Sequence, residues 1–189
     1  MIRAFVAIEI YPAVLQRIGE ATDELRAKIS HIRWTPQANC HLTLKFLGAI
    51  EESQIDSIGL ALEHELSLFR RCTINAKGLG VFPDEKRPRI LWVGIEGKPL
   101  AMLAEKVETA LTPMGFQREK RAFTPHLTIG RWREHKPTPR ELGNVLDKWK
   151  EHDFGGSIVH EVKLFQSILK PGGAQYQPLK TARLNDSSD

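Results

Sequence analysis

HLTLKFLG, residues 41–48, and HLTIGR, residues 126–131, are near copies of one strand, one in each half of a 189-residue chain. In an extended strand residues i and i+2 share a face. His41 and Thr43 therefore point one way, and Leu42, Leu44 and Phe46 the other. His126 and Thr128 share a face, with Leu127 and Ile129 opposite. The aliphatic faces ask for burial against helices. The histidine–threonine faces must line solvent or a polar cleft. Alternation assigns Phe46 to the core, although its place near the strand end would also let it stack on a base. Arg131, just past the second motif, would reach the same cleft if the strand bulges at Gly130.

The repeat is not an accident of composition. Seven histidines and ten threonines in this length give about 0.4 His-x-Thr by chance, and two copies with an apolar residue after both the histidine and the threonine on the order of a few in a thousand. Working outward, residues 2–9 alternate as a strand. Pro12 sits at the start of a helix whose stripe runs through Val14, Leu15, Ile18, Leu25 and Ile29. Glu51–Phe69 and Leu100–Leu111 read as helices, 72–82 and 90–96 as strands joined by a polar turn. Pro139–Lys150 reads as a helix, followed by strands over 157–169 and 175–183. Each half thus mixes helices with strands and carries one His-x-Thr strand. The expected architecture is an α+β duplication with pseudo-twofold symmetry, a single two-lobed domain over 1–184 with a disordered tail at 185–189.

Composition narrows the function classes. The chain is 41% hydrophobic and 26% charged with a formal net charge of +4, which suits an anionic ligand without requiring one. No apolar run reaches the roughly 18–20 residues of a membrane span. The two cysteines, Cys40 and Cys72, form no CxxC, and a cytoplasmic location is the expectation. Basic residues gather at Lys86-Arg87-Pro88-Arg89 and Arg118-Glu119-Lys120-Arg121. There is no Walker A, GxGxxG or GxSxG pattern, and no ligand spacing for zinc around the two histidines.

Paired histidines suit phosphodiester chemistry. Hydrolysis needs a base for the attacking water and an acid for the leaving alkoxide, and imidazole can serve as either near neutral pH. In-line displacement puts the two oxygens on opposite sides of phosphorus, so the two histidines must come from two places. The hydroxyls of Thr43 and Thr128 can donate to the non-bridging oxygens where charge accumulates. His31, His64, His135, His152 and His160 have no such partner and read as surface residues.

Further residues carry a resemblance: Arg3-Ala4-Phe5, Arg33-Trp34, Pro88-Arg89 before Leu91-Trp92-Val93-Gly94, Phe123-Thr124-Pro125 before the second motif, Leu164–Leu169 with Ser167, and Gly173-Ala174-Gln175-Tyr176-Gln177-Pro178-Leu179. With the paired HxTx motifs, they make the chain resemble the two-histidine phosphoesterases, and within them the bacterial and archaeal RNA 2′,3′-cyclic phosphodiesterases, also named 2′-5′ RNA ligases. The resemblance implies a bilobal fold whose two antiparallel sheets face a central cleft with helices outside. It implies hydrolysis of RNA 2′,3′-cyclic phosphate ends, such as those of tRNA fragments or nucleotides, to 2′-phosphates without metal or cofactor. By the same analogy His41 is the proton donor and His126 the proton acceptor, and a monomer is expected. Two alternatives stand beside it: 2′-5′ ligation or 2′-5′ phosphodiester hydrolysis at the same site, and an RNA-binding module without turnover.

Overall fold

A computed structural model describes residues 1–133, 138–171 and 173–186. Four helices and nine strands form within them: β1 (Ile2–Glu9), α1 (Pro12–Arg26), β2 (Ile32–Trp34), β3 (His41–Ile50), α2 (Ile55–Leu66), β4 (Cys72–Phe82), β5 (Ile90–Glu96), α3 (Leu100–Leu111), β6 (His126–Trp132), α4 (Leu142–Trp149), β7 (Asp153–Val159), β8 (Glu161–Lys170) and β9 (Gly173–Arg183). Local chemistry accounts for the helix starts. Pro12 occupies the first turn of α1, where its missing N–H costs nothing. Glu51 and Gln54 make a capping box ahead of α2.

Every strand pairing is antiparallel, in the order β7-β4-β5-β6-β3-β1-β8-β9, with β2 added beside β6. The two halves of this order meet at one paired position, Leu42 opposite Leu127, between β3 and β6. One lobe is therefore β3-β1-β8-β9 with α2 and α3 behind it. The other is β6-β5-β4-β7 with α1 and α4. The lobes are thus joined edge to edge through this seam. Leu42 and Leu127 are fully buried, and the aliphatic faces of both lobes belong to one continuous core.

The strand expected over 157–169 is two strands. β7 pairs with β4 in one lobe and β8 with β1 in the other, and the chain changes lobes at His160. β2 was not foreseen, being three residues long. The helix expected over 139–150 is shorter, at Leu142–Trp149. Of the tail expected to be disordered at 185–189, Asn185 and Asp186 have defined partners. Asn185 bridges Arg70 and its N–H donates to the Phe69 carbonyl at 2.8 Å, while Asp186 pairs with Arg71. Residues 187–189 lie outside the described residues. Among the described residues, no helix is long and apolar enough to cross a membrane.

Candidate active site

The Leu42–Leu127 pair fixes the site. Both leucines point into the core, so their neighbours His41, Thr43, His126 and Thr128 lie on the opposite face, and all four are half-buried. Counting outward along antiparallel strands sets His41 against Thr128 and Thr43 against His126. The histidines are then diagonal neighbours, at a backbone spacing of about 7–8 Å.

Each motif is followed by a bulge. In β3, Thr43 pairs with Ala7 but Lys45 with Val6, so Leu44 is the extra residue. In β6, Thr128 pairs with Trp92 but Gly130 with Leu91, so Ile129 is extra. An extra residue reverses which face the following side chains occupy. Phe46, assigned by alternation to the core, is consequently 64% exposed, on the histidine face with its ring 6.3 Å from that of Phe5. Arg131, opposite Ile90, returns to the histidine face in the same way; the bulge falls at Ile129, one residue before the expected place. The same reversal puts Lys45 inside, 2% exposed, with its ammonium 2.7 Å from Glu108 Oε2 on α3 and 2.7 Å from the Gln117 carbonyl.

The histidine surroundings differ. His41 stacks on Phe5 at 4.7 Å between ring centroids and meets the edge of Tyr176 at 5.0 Å, with Phe165 behind at 6.3 Å. Phe5, Ala7 and Phe165 form a small second core on this face of the sheet. Burial among these rings lowers the His41 pKa to about 4, against the opposing pull of a hydrogen bond with the Asn39 backbone and of the Glu9 carboxylate. The neutral imidazole is therefore its resting form at pH 7. His126 Nδ1 lies 2.7 Å from the Thr124 carbonyl. A carbonyl only accepts, so Nδ1 carries the hydrogen and the neutral ring keeps its lone pair on Nε2. Phe82 meets this ring edge-on at 5.0 Å, and Trp92 lies at 6.4 Å. Each histidine is thus held by the backbone two residues upstream.

At one end of the cleft Arg33 sits directly opposite Arg131 in the β2–β6 ladder, and the Arg89 carbonyl accepts from Trp132 N–H at 3.0 Å. Like charges facing each other across a ladder repel, an arrangement that an anion between them would relieve. Cys40 is buried behind β6, its thiol pushed up to about 11 by desolvation, which disfavours the thiolate that a nucleophile needs. Of the other histidines, His31, His64 and His152 are exposed, and His160 bonds Tyr11 at 2.7 Å. His135 lies outside the described residues. Among the described residues, no group of three or more His, Cys, Asp or Glu is arranged to hold a metal ion.

The aromatic walls around the histidines were not expected from the sequence. Residues 2–9, read as alternating, are instead buried on both faces from Ala4 to Ile8; that unbroken apolar run is the sequence signal for the wall at Phe5, and no comparable signal marks the other rings.

Comparison with known proteins gives a consistent result. A family model described as LigT-like phosphoesterase matches twice, over residues 8–92 and 93–176. The RNA 2′,3′-cyclic phosphodiesterase of Archaeoglobus fulgidus is 33% identical over 181 residues, covering 94% of this chain and 98% of that protein. The Aeropyrum pernix protein of the same name is 36% identical over 162 residues, covering 82% and 90%. A crystal structure from Thermus thermophilus superposes with a TM-score of 0.80 at 27% identity, covering 96% and 97% of the two chains. E. coli LigT complexed with 3′-AMP superposes at 0.76 and 23% identity, covering 98% and 99%, a likeness of fold.

Proposed function

Since the chain belongs to the LigT-like phosphoesterases, we propose that it hydrolyses RNA 2′,3′-cyclic phosphate ends to 2′-phosphates, with His126 as general base and His41 as general acid. The observation that carries this reading is the seam. Two HxTx strands meet at Leu42 and Leu127 with both histidines and both threonines on the same face. The names of the relatives supply the substrate class.

In the proposed reaction the cyclic phosphate sits between the imidazoles, its non-bridging oxygens taking hydrogen bonds from Thr43 and Thr128. His126 Nε2 removes a proton from water as its oxygen attacks phosphorus opposite the 3′-oxygen. The P–O3′ bond breaks and His41 gives the leaving oxygen its proton, leaving a 2′-phosphate and a 3′-hydroxyl. His41 is neutral at rest, so it takes up its proton as the phosphate arrives; an anion beside an imidazole favours the charged form. Phe46 offers an exposed ring for base stacking, and Arg33, Arg89 and Arg131 attract the backbone phosphates.

The test is to incubate the protein with an oligoribonucleotide ending in a 2′,3′-cyclic phosphate and identify the product. A 2′-phosphate end, formed undiminished in EDTA, is expected. A 2′-5′ linked product with a 5′-hydroxyl RNA would favour ligation. Salt-dependent binding without any product would leave only an RNA-binding module.

A further inference from the structure

We propose that Glu9 is the residue that holds the proton on His41, and that Lys163 sets how strongly it does so. The catalytic meaning of this pairing rests on the hydrolase reading above. Three neighbouring strands of one lobe carry it. Glu9 on β1 is the ladder partner of His41 on β3, and paired residues in an antiparallel ladder share a face. One row further along, Ala7 separates Thr43 on one side from Lys163 of β8 on the other. Ala7 has almost no side chain to intervene. The Lys163 ammonium lies in this row, is largely buried and pairs with the Glu9 carboxylate; its second partner is Glu161 Oε1 at 3.0 Å.

The charged and titratable groups around His41 are few. β1 supplies Glu9 and, on the same face two residues before Phe5, Arg3; β8 supplies Lys163 and Glu161; β9 supplies Tyr176, with Arg183 opposite Glu161. Across the seam β6 supplies His126. On β3 itself Lys45 faces the other side and is satisfied by Glu108 of α3. Glu9 is therefore the carboxylate that faces His41 along its ladder, and Lys163 its counter-charge. Burial among Phe5, Phe165 and Tyr176 drives the ring towards neutrality; the hydrogen bond with the Asn39 backbone and then the Glu9 carboxylate favour the imidazolium that an acid needs, and Glu9 is the charged side chain of the two.

The second lobe provides the control. The ladder partner of His126 is Gly94. A Cβ built there would meet the Lys77 carbonyl oxygen at 2.7 Å, so no acidic side chain fits at that place without displacing backbone. The seat beside one histidine holds a carboxylate, and the seat beside the other is closed to any side chain. That is the difference an acid–base pair requires.

The experiment is a histidine-selective NMR titration of the whole protein as wild type, Glu9→Gln, Glu9→Asp and Lys163→Met, with pH–rate profiles on a cyclic-phosphate RNA alongside. Glu9→Gln should lower the His41 midpoint by about 0.5–1 unit, and Lys163→Met should raise it, because the carboxylate loses its counter-ion. Glu9→Asp keeps the charge and should stay close to wild type. His126 should not move in any of them. The alkaline limb of kcat should follow the His41 shifts, with KM within about twofold of wild type. An unchanged His41 midpoint in Glu9→Gln overturns the proposal, as do shifts of the same sign in Glu9→Gln and Lys163→Met, which a mere disturbance of β1 would give. Opposite shifts in a protein that does not turn over the RNA would uphold the coupling and sink the hydrolase reading. Turnover without the shifts would do the reverse.

Discussion

Strands β3 and β6 begin with the same three residues, bulge at the same place after the threonine, and nevertheless surround their histidines differently. His41 lies against Phe5 and Tyr176 with Glu9 beside it; His126 lies against Phe82 and Trp92 with Gly94 beside it. Beyond the bulge, the core-side position is Lys45 in one strand and Gly130 in the other. The cleft-side position is Phe46 in one and Arg131 in the other. Duplication has kept the backbone geometry that sets the two histidines on one face beside the seam. The neighbours have diverged, and neighbours decide which ring gives a proton and which takes one. Phe46 and Arg131 likewise give the two sides different chemistry, an exposed ring beside one histidine strand and a guanidinium beside the other.

The largest expected effect breaks the comparison altogether. His41→Ala and His126→Ala should each reduce turnover by at least about 10²-fold, as for loss of a general acid or base, and the double variant should lose far less than the product of the two. Either single variant retaining half the wild-type rate in a steady-state assay would remove that histidine from the mechanism.

Next comes the core-side pair. Lys45→Ala leaves Glu108 buried and uncompensated and should cost about 3–5 kcal/mol in denaturant unfolding, whereas Lys45→Met together with Glu108→Leu should restore much of it. Gly130→Ala should also destabilise, because its methyl would stand 2.6 Å from Ile32 Cγ2. If the two sites proved equally tolerant, the bulges would not need these residues to hold them.

A third test uses acid. The folded-state pKa of His41, about 4, lies below its ordinary 6.5, so between these values the unfolded chain binds more protons than the native one. The stability tied to this group is complete above pH 6.5 and falls away as pH drops towards 4, by at most about 3 kcal/mol. In His41→Gln this part of the slope of unfolding free energy against pH should vanish. An identical slope would mean that His41 titrates normally.

The smallest effects should separate the two sides of the cleft. Phe46→Ala should weaken RNA binding by about 1–3 kcal/mol at any salt concentration. Arg131→Gln should reduce the salt slope of binding by about one. Interchanged behaviour in a fluorescence titration would reverse the assignment of the two sides.

Much of this was legible in the sequence, because period-two alternation and helical stripes survive wherever an element has one wet face. β4, β5 and α3 have the expected limits, and the two histidines and two threonines share the expected face. Legibility ended where tertiary pairing overrode the local period. Alternation carried Phe46 into the core because nothing in HLTLKFLG announces that Leu44 is an extra residue; only the partner strand's register does. β7 and β8 ran together because the change of partner at His160 leaves no break in the pattern. Glu9 is a plain acidic residue at a strand end until Lys163, distant in sequence, is placed one row away.

The change of lobe at His160 also has a bearing on synthesis. β1 is made before β8, its ladder partner on one side, whose own outer neighbour β9 ends at Arg183. The lobe that holds His41 cannot close its sheet until β8 and β9 have been made, and long-range pairings of this kind form late and slowly. A nascent chain already carrying both histidines would therefore still lack the closed sheet that sets Phe165 and Tyr176 around His41.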